Sequence, residues 1–354
     1  MDPHSISKSI SMGKKVCIYF VASPLHYLAA RKIARTFEDG SRQFLVYYKK
    51  LSIESFMKKE EWDVITYMPW PRFDPLPGLF GRLRRIRENL KKISALIDNP
   101  QEINFHCSEY DSEAINYFVY YLPNRFPSCT VRFRILPDGI LNINRYPLTL
   151  PKLAWHYLRK LRRIVAPELN YTFFLGDRIG TDATFIDRIY TLKGFTHKYD
   201  PQKVVELSSL VSFEIKTEGL YPQRALVISQ YLVSMGLMSK SDMNEVSKQI
   251  HDWLINKGIK HIDYKSHHRD SSLELFFEDY HLLKIDEPLE CYMAKNPYFV
   301  VVGIYSTALF TAKQIYGGSA HVVSFGVNRV RFKDPARKQD IVQLMKFMDI
   351  EIYE

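Results

Sequence analysis

The sequence is poor in cysteine and lacks the short motifs that identify several enzyme classes. Its four cysteines include no CxxC pair, so a zinc knuckle or dithiol redox site is excluded and buried free thiols are expected. Neither GxGxxG nor GxxxxGKS/T occurs, which disfavours a conventional dinucleotide dehydrogenase and a Walker-type ATPase. The GxSxG elbow of α/β-hydrolases is also absent.

Long apolar runs are missing as well. No stretch approaches the roughly 18 to 20 apolar residues that a membrane-spanning helix needs. Residues 1–13 are polar and lack the apolar core of a signal peptide. We therefore expect a disordered leader over residues 1–13 and a cytoplasmic protein, in contact at most with the inner face of the cytoplasmic membrane.

The composition is otherwise ordinary for a globular chain, but its charge is not balanced. Hydrophobic residues make up 46% and charged residues 25% of the 354 residues, which excludes a disordered or collagen-like protein. The net charge is +10, and two segments, from Arg82 to Lys92 and from Lys152 to Arg163, each carry +5. Such basic segments predict contact with an anionic membrane or a charged glycan. The second also has an apolar component, so an ordinary helix packed on that face is the alternative.

Strand-like and helix-like segments alternate in two series along the chain. The first series opens with the apolar run from Val16 to Ala22, and the second opens at Ala225. Alternation of this kind predicts parallel sheets, and we expect an α/β protein with two Rossmann-like domains facing a cleft. The predicted N-terminal domain spans residues 14–215 and the C-terminal domain residues 216–334. A last helix, within residues 335–354, is expected to pack back on the N-terminal domain.

In open parallel sheets, ligands bind beyond the carboxyl ends of the strands. Polar residues that follow the predicted strands are therefore the candidates for a functional site. These are Ser23, Ser108, Glu109, Asp138, Gly139, Ser229, Gln230, His267, His268, Arg269, Ser306 and Thr307.

Each candidate has a chemical and a structural interpretation. Asp138 can serve as a general base, although an Asp-Gly dipeptide also favours a simple turn. The cluster from His267 to Arg269 can bind a phosphate, or it can be a solvated loop. Ser306 and Thr307 precede a predicted helix, where they can form an anion site or merely cap the helix.

Taken together, these residues resemble the bacterial sialyltransferases of the lipooligosaccharide and capsular polysialyltransferase type. Those enzymes have a strand followed by Ser/Thr-Pro-Leu, which is similar to the segment from Ala22 to His26. Their acidic-acidic-Gly motif resembles Pro137-Asp138-Gly139, and their His-Pro motif resembles the loop from Lys265 to Asp270. Their final Ser/Thr pair resembles Ser306-Thr307, and the segment from Pro288 to Glu290 is similar to the place where they hold the nucleotide.

The resemblance implies a GT-B glycosyltransferase that inverts configuration and needs neither cofactor nor metal. It implies transfer of sialic acid or a related nonulosonic acid from a CMP donor to an oligosaccharide or glycolipid acceptor, such as lipooligosaccharide, O-antigen or capsule. Asp138 would be the base and His267 would stabilise the CMP phosphate. The implied donor-binding residues are Ser23, Gln230, His268, Arg269, Glu290, Ser306 and Thr307. The implied acceptor-binding residues are Ser108, Glu109 and Gly139.

The chain departs from the family pattern at two positions, which leaves alternatives open. Pro137 replaces the first acid and His268 replaces the proline, as in a divergent member that uses another nonulosonic acid, such as legionaminic or pseudaminic acid. A GT-B enzyme with a UDP-sugar or CMP-Kdo donor is one alternative, and a non-catalytic glycan-binding protein is another. Nucleic-acid binding would suit the positive charge, but no zinc finger, RRM or helix-turn-helix pattern supports it, so no nucleic-acid partner is expected.

Overall fold

The computed structural model of the protein describes residues 15–49, 53–211, 223–267, 272–332 and 334–354. Its described strands form two sheets, and every strand pair in them is parallel. By internal contacts the chain divides into two compact units. The fold is thus α/β with two parallel-sheet units, as predicted, while the predicted leader lies outside the described residues.

The first unit contains a seven-stranded sheet in the order β3-β2-β1-β4-β5-β6-β7. Its interior strand β1 is buried from Val16 to Val21, because helices cover both faces of a parallel sheet. The strands are β1 (Lys15–Val21), β2 (Arg42–Tyr47), β3 (Val64–Tyr67), β4 (Glu102–Cys107), β5 (Thr130–Ile135), β6 (Ile186–Leu192) and β7 (Val204–Leu207).

Four helices of the first unit follow its strands or the loops after them. They are α1 (Pro24–Thr36), α2 (Gly81–Ala95), α3 (Glu113–Arg125) and α4 (Leu150–Leu161). Helix α1 begins as its sequence predicts, with Ser23 as N-cap and Pro24 in the first turn. Helix α2 contributes Ile86, Leu90 and Ile93 to the core of this unit.

The second unit contains a six-stranded sheet in the order β10-β9-β8-β11-β12-β13. Its strands are β8 (Arg224–Ile228), β9 (His261–Lys265), β10 (His281–Leu282), β11 (Val300–Gly303), β12 (His321–Phe325) and β13 (Glu351–Tyr353). Its helices are α5 (Lys240–Asn256), α6 (Leu289–Lys295), α7 (Thr307–Tyr316) and α8 (Pro335–Phe347).

The two units are not contiguous in sequence. The first comprises residues 1–138, 145–192 and 198–210, and the second comprises residues 139–144, 193–197 and 211–354. Helix α8 was predicted to pack on the N-terminal domain, but it belongs to the second unit. The reason is that β13, which follows α8, pairs with β12 and extends the second sheet.

Most predicted strands and helices are confirmed, and the differences concern two strands in a region predicted to be irregular and two very short strands. The region of residues 167–218, predicted to be irregular, contains β6 and β7, which extend the first sheet past β5. Strand β10 has two residues, although the prediction ran from Leu282 to Ile285. Strand β13 was not predicted, because three residues are too few for a period-2 pattern to show.

Candidate active site

The carboxyl end of β1 positions the first group of candidate residues. Ser23 caps α1, and its hydroxyl accepts a hydrogen bond from the His26 backbone N–H at 3.2 Å. This cap starts the helix immediately after the strand, so His26 lies in its first turn. Ser23 therefore has a structural role here, and its predicted donor contact stays a prediction.

His26 and Asp138 form a hydrogen-bonded pair at the carboxyl edge of the first sheet. His26 Nε2 lies 2.9 Å from Asp138 Oδ1. The backbone N–H of Ala22 donates to His26 Nδ1 at 3.4 Å, which leaves Nε2 as the ring nitrogen that carries the proton toward Asp138. The imidazole is buried, whereas 37% of the Asp138 side chain is exposed. The arrangement holds a carboxylate in a fixed orientation while leaving it accessible.

Two acceptor-site candidates, Ser108 and Glu109, follow β4 at the same edge of the sheet. Ser108 is buried and forms a side-chain hydrogen bond with Tyr48, which follows β2. Burial raises the pKa of Tyr48, and the nearby charges of Glu109 and Asp138 raise it further, so the hydroxyl remains a donor. Glu109 accepts from Arg178 Nη2 at 3.3 Å. The structure thus brings these residues together around Tyr48.

An open cavity of about 220 Å³ lies beside Glu109 in the first unit. Trp70, whose ring stacks on Tyr48 at a centroid distance of 4.5 Å, forms part of its wall. Three arginines, Arg72, Arg82 and Arg159, and three acids, Glu109, Asp111 and Glu113, also line it. The cavity therefore combines an aromatic surface with charged side chains of both signs.

Gly139, the third acceptor-site candidate, has a φ of +62°, a conformation that favours glycine. It begins a short 3₁₀ helix, Gly139–Ile143, that belongs to the second unit. The backbone N–H of Ile140 donates to Thr307 Oγ1 at 3.4 Å within that unit. Gly139 therefore makes the turn that brings Ile140 to Thr307, which the sequence alone did not indicate.

The hydroxyl pair after β11 caps a helix of the second unit. Ser306 is the N-cap of α7, and its hydroxyl accepts from the Ala308 N–H at 3.3 Å. Gln230, which follows β8, accepts from the Tyr305 N–H through Oε1 at 2.8 Å. Gln230 thereby fixes the turn that precedes the helix. The N-terminus of α7, with its amides and partial positive charge, is thus held at the carboxyl edge of the second sheet.

Two basic side chains, Lys265 and His267, lie at the end of β9 at the same edge. The ring of His267 stacks on Tyr231 at a centroid distance of 4.5 Å. Lys265, the last residue of β9, is half-buried, and this burial lowers its pKa. His268 and Arg269 lie outside the described residues, so their predicted donor contacts have no structural test here.

Glu290, the remaining donor-site candidate, lies in the first turn of α6 and is buried. Burial raises the pKa of its carboxyl group, with only its own backbone N–H favouring the charged form. Protonated or ionised, such a side chain can pair with a hydroxyl or an amine of a ligand.

The two predicted basic segments are less available than their charge suggests. Lys152 and Arg159 of α4 contact Asp111, and Arg162 contacts Glu113. Arg82 of α2 also contacts Glu113. Helix α4 therefore packs through its charged residues.

The apolar residues of α4 are instead the exposed ones, which reverses the packing that the sequence alternative assumed. His156 is its buried residue. The exposed apolar set is Leu150, Trp155, Tyr157, Leu158 and Leu161, followed by Ile164 and Val165. Separately, no helix in the described parts of the chain is both long and apolar enough to cross a bilayer.

Potential metal ligands lie elsewhere. Among the described residues, the His and acidic side chains grouped closely enough to hold an ion are His261, Asp263 and His281. His261 and His281 begin β9 and β10, so this group is at the amino edge of the second sheet. It is distinct from the candidate residues at the carboxyl edge.

Three side chains at these edges were not selected from the sequence. His26 lay within the segment from Ala22 to His26 that resembles the family. It could have been selected because it lies in the first turn of a helix that follows a buried strand. Lys265 began the quoted His267 loop. Tyr48 gave no signal, because its proximity to Ser108 depends on the order of strands in the sheet.

Comparisons with known proteins concern the family and the fold. The family model of the alpha-2,8-polysialyltransferases (POLYST) matches residues 184–323. The match includes the candidates Gln230, His267, Glu290, Ser306 and Thr307, but not Asp138 or His26. No curated protein sequence matches the chain significantly.

Solved structures are similar over almost the whole chain. The alpha/beta-galactoside alpha-2,3-sialyltransferase of Photobacterium phosphoreum has a TM-score of 0.56 and 9% identity, covering 96% of this chain and 98% of that one. Arabidopsis thaliana UGT89C1 complexed with UDP-L-rhamnose has a TM-score of 0.49 and 9% identity, covering 96% and 84%. At such identities the first likeness shows the fold alone, and the second is too remote to add to it. The fold is the two-domain α/β fold of GT-B glycosyltransferases.

Proposed function

We propose that this chain is a sialyltransferase-like glycosyltransferase of GT-B type, and we propose a donor, a stereochemical course and residue roles for it. The proposed reaction moves sialic acid or a related nonulosonic acid from its CMP donor to a hydroxyl of a surface glycan. It proceeds with inversion and without a metal ion. The observation that carries the proposal is the His26–Asp138 pair, a fixed and accessible carboxylate at the carboxyl edge of the first sheet.

Asp138 is the proposed general base. As the bond to the acceptor forms, the acceptor hydroxyl transfers its proton to Asp138, and the bond from the sugar to the CMP phosphate breaks. His26 donates to Oδ1 and so keeps the carboxylate in one orientation. Attack from the face opposite to the leaving phosphate inverts the configuration.

The second unit offers groups suited to a departing phosphate. CMP gains negative charge as it leaves, and donors aimed at that charge lower the barrier. We assign this task to the α7 N-terminus with Ser306 and Thr307, and to His267. Lys265, at the end of the same strand, adds a cation that sequence inspection did not select. Glu290 and Gln230 are assigned to the nucleoside end of the donor.

The acceptor is proposed to bind in the first unit. Ser108 and Glu109 provide polar contacts, and the cavity beside Glu109 offers Trp70 for stacking against a sugar. The wall carries Arg72, Arg82 and Arg159 against Glu109, Asp111 and Glu113, so its formal charges balance and it selects no charge on the acceptor.

The decisive experiment compares Asp138→Asn with Asp74→Asn, a matched change at an exposed aspartate that contacts Arg85. CMP release from CMP-sialic acid would be followed with a glycan acceptor, with and without EDTA, and the anomeric configuration of the product read by NMR. We expect Asp138→Asn to lose about 10²- to 10⁴-fold in kcat while binding CMP normally. Full activity in this variant would remove Asp138 from the mechanism.

The alternatives give different results in the same assay. A thermal-shift panel of CMP, UDP and other nucleotides identifies the donor, because only a bound nucleotide raises the Tm. Stabilisation by UDP but not CMP would indicate another GT-B donor. Binding of CMP without transfer to any acceptor, from CMP-sialic, CMP-legionaminic or CMP-pseudaminic acid, would indicate a non-catalytic protein.

We further propose that α4 contacts the surface of an anionic membrane. Its exposed Trp155, Leu158 and Leu161 are suited to the interfacial region, and Lys160 and Arg163 lie on the same segment. Trp155→Ser with Leu158→Ser should reduce co-sedimentation with phosphatidylglycerol vesicles. The matched change Leu175→Ser, at an exposed leucine outside α4, should not. Equal sedimentation of all three proteins would exclude this surface.

A further inference from the structure

Three potential metal ligands converge at the amino edge of the second sheet, far along the strand from the candidate site. His261 and Asp263 are two residues apart on β9, so their side chains lie on the same face. Strand β10 pairs with β9 so that His281 is opposite Asp263. The parallel register therefore places all three side chains together, although the two histidines are 20 positions apart in the sequence.

The distances are those of a nearly formed site. His281 Nδ1 lies 2.8 Å, and His261 Nε2 3.3 Å, from the same atom, Asp263 Oδ1. All three ligand atoms lie within 4.8 Å of one another. The Asp263 carboxylate is buried, whereas 52% of the His261 side chain and 64% of the His281 side chain are exposed. The carboxylate is fixed and the rings can adjust.

We propose that His261, Asp263 and His281 bind a divalent transition-metal ion of the Zn²⁺ class. Two imidazoles and one carboxylate are ligands that Zn²⁺ accepts at about 2.0 to 2.2 Å, which sets neighbouring ligand atoms about 3.3 Å apart in a tetrahedron. The two distances to Asp263 Oδ1 are already close to that value. The exposed rings leave the fourth position to water.

A second layer of contacts orients the carboxylate. Arg224 Nη2 and the Tyr298 hydroxyl donate to Asp263 Oδ2 at 2.6 and 2.7 Å. Arg224 is opposite His261 in the register of β8 and β9. These donors occupy one carboxylate oxygen and direct the other toward the histidines, as outer contacts of metal sites commonly do.

The position indicates a structural role. The four steps along β9 from His261 to Lys265 span about 13 Å, so the ion would lie apart from the proposed donor site. It would join β9 to β10, a two-residue strand at the edge of the sheet. The chain between the two histidines carries His267, so the ion would fasten both ends of the segment that bears this proposed phosphate contact.

The test is a titration of the EDTA-treated, dialysed full-length protein with ZnCl₂ by calorimetry, and with CoCl₂ by visible absorption. We expect one Zn²⁺ per chain, and an increase in Kd of at least about tenfold in His261→Ala and in His281→Ala. His321→Ala is the matched control, because His321 also begins a strand of this sheet and lies 3.5 Å from a single carboxylate, Glu351. Its Kd should not change.

Thermal unfolding provides an independent measurement. Zn²⁺ should raise the Tm of the wild type and of His321→Ala but not that of His281→Ala, because an ion that binds only the folded state stabilises it. Absence of one-to-one binding would overturn the proposal. So would a Kd that neither His261→Ala nor His281→Ala changes.

Discussion

At the carboxyl ends of its strands the first sheet presents a carboxylate held by a histidine, whereas the second presents hydroxyls, an amide and basic side chains. In the first, His26 fixes Asp138. In the second, Ser306 caps the helix after β11, while Lys265 ends β9 and His267 follows it. Both sheets are wholly parallel, so the architecture is the same at the two edges. The difference lies in the charge that the strand ends carry.

This comparison shows how one architecture can serve opposite chemical needs. A parallel sheet always presents the ends of its strands, and the N-termini of the helices that follow, at one edge. Placing a carboxylate there yields a group that accepts a proton. Placing hydroxyls and cations there yields a group that binds an anion. A transferase with an anionic leaving group needs one of each.

The largest expected effect is on the free energy of unfolding. It comes from a buried carboxylate of the first unit, Glu38, which has no proposed role in the reaction. Burial opposes ionisation of Glu38, but His106, Lys15 and Arg134 lower its pKa to about 2, from an ordinary value of 4.5. A pKa depressed by folding stabilises the protein above about pH 4.5, and this is lost as the pH falls toward 2. The loss should reach about 3 kcal/mol.

Urea unfolding at pH 6, 4 and 3 measures the first part of this loss, which should be about 2 kcal/mol by pH 3. Glu38→Gln should already be less stable at pH 6 by about 3 kcal/mol, because buried Arg134 loses the Glu38 carboxylate and keeps only the Asp187 carboxylate, at 3.2 Å, as an ion-pair partner. Its stability should depend less on pH across this window. An unchanged dependence would show that Glu38 does not control acid stability.

The next effect tests the histidine that distinguishes the first edge. His26→Ala should lower kcat by about 10²-fold, because the Asp138 carboxylate loses the donor that orients it. The Kd for CMP should stay the same. His26→Gln should recover part of the rate and alter the pH profile of kcat. If His26→Ala keeps the wild-type rate at every pH, the positioning role is wrong.

A smaller effect separates ligand binding from helix capping at the second edge. Ser306→Ala should weaken CMP binding by about tenfold, through loss of a hydroxyl donor to a charged phosphate. Ser239→Ala is the matched control, because Ser239 caps α5 in the same way, accepting from the Asp242 N–H. Both variants should lose about 1 kcal/mol of stability. Equal CMP affinity in the two variants would show that Ser306 caps the helix and does not bind CMP.

The smallest effect concerns Lys265 and pH. Burial lowers its pKa, so it loses its charge at a lower pH than an ordinary lysine does. CMP affinity should therefore fall as the pH becomes alkaline. Because the side chain is only half-buried, Lys265→Met should cost about two- to fivefold in affinity and flatten this dependence. If the CMP affinity of Lys265→Met still falls at alkaline pH, a group other than Lys265 causes that fall.

Regular features of the fold were predictable from local sequence. The run from Val16 to Val21 is apolar because both faces of β1 are covered. Ser23-Pro24 alone is enough to predict where α1 begins. Short strands such as β10 and β13 were mispredicted or missed, because two or three residues carry no periodicity. The order of the strands, by contrast, is decided by packing between distant segments.

The same distinction applies to the candidate sites. Asp138, Ser306 and Gln230 follow strands and could be selected one at a time. The partner of Asp138 could not, since 112 positions separate it from His26. The cluster of His261, Asp263 and His281 was also invisible, because it depends on the register of β10 against β9. Spacing reveals ligands on one element, whereas sheet topology decides which elements are neighbours.

The way the chain is shared between the units limits how the protein can be dissected. Two short segments, 139–144 and 193–197, belong to the second unit although the sequence around them belongs to the first. Ile140 donates to Thr307, and the ring of Phe195 packs on Phe310 at a centroid distance of 5.5 Å. A recombinant fragment that began at residue 211 would omit both segments. In such a fragment the start of α7 would lack these contacts, so its nucleotide affinity would not represent that of the intact protein. Point variants of the whole chain avoid this problem.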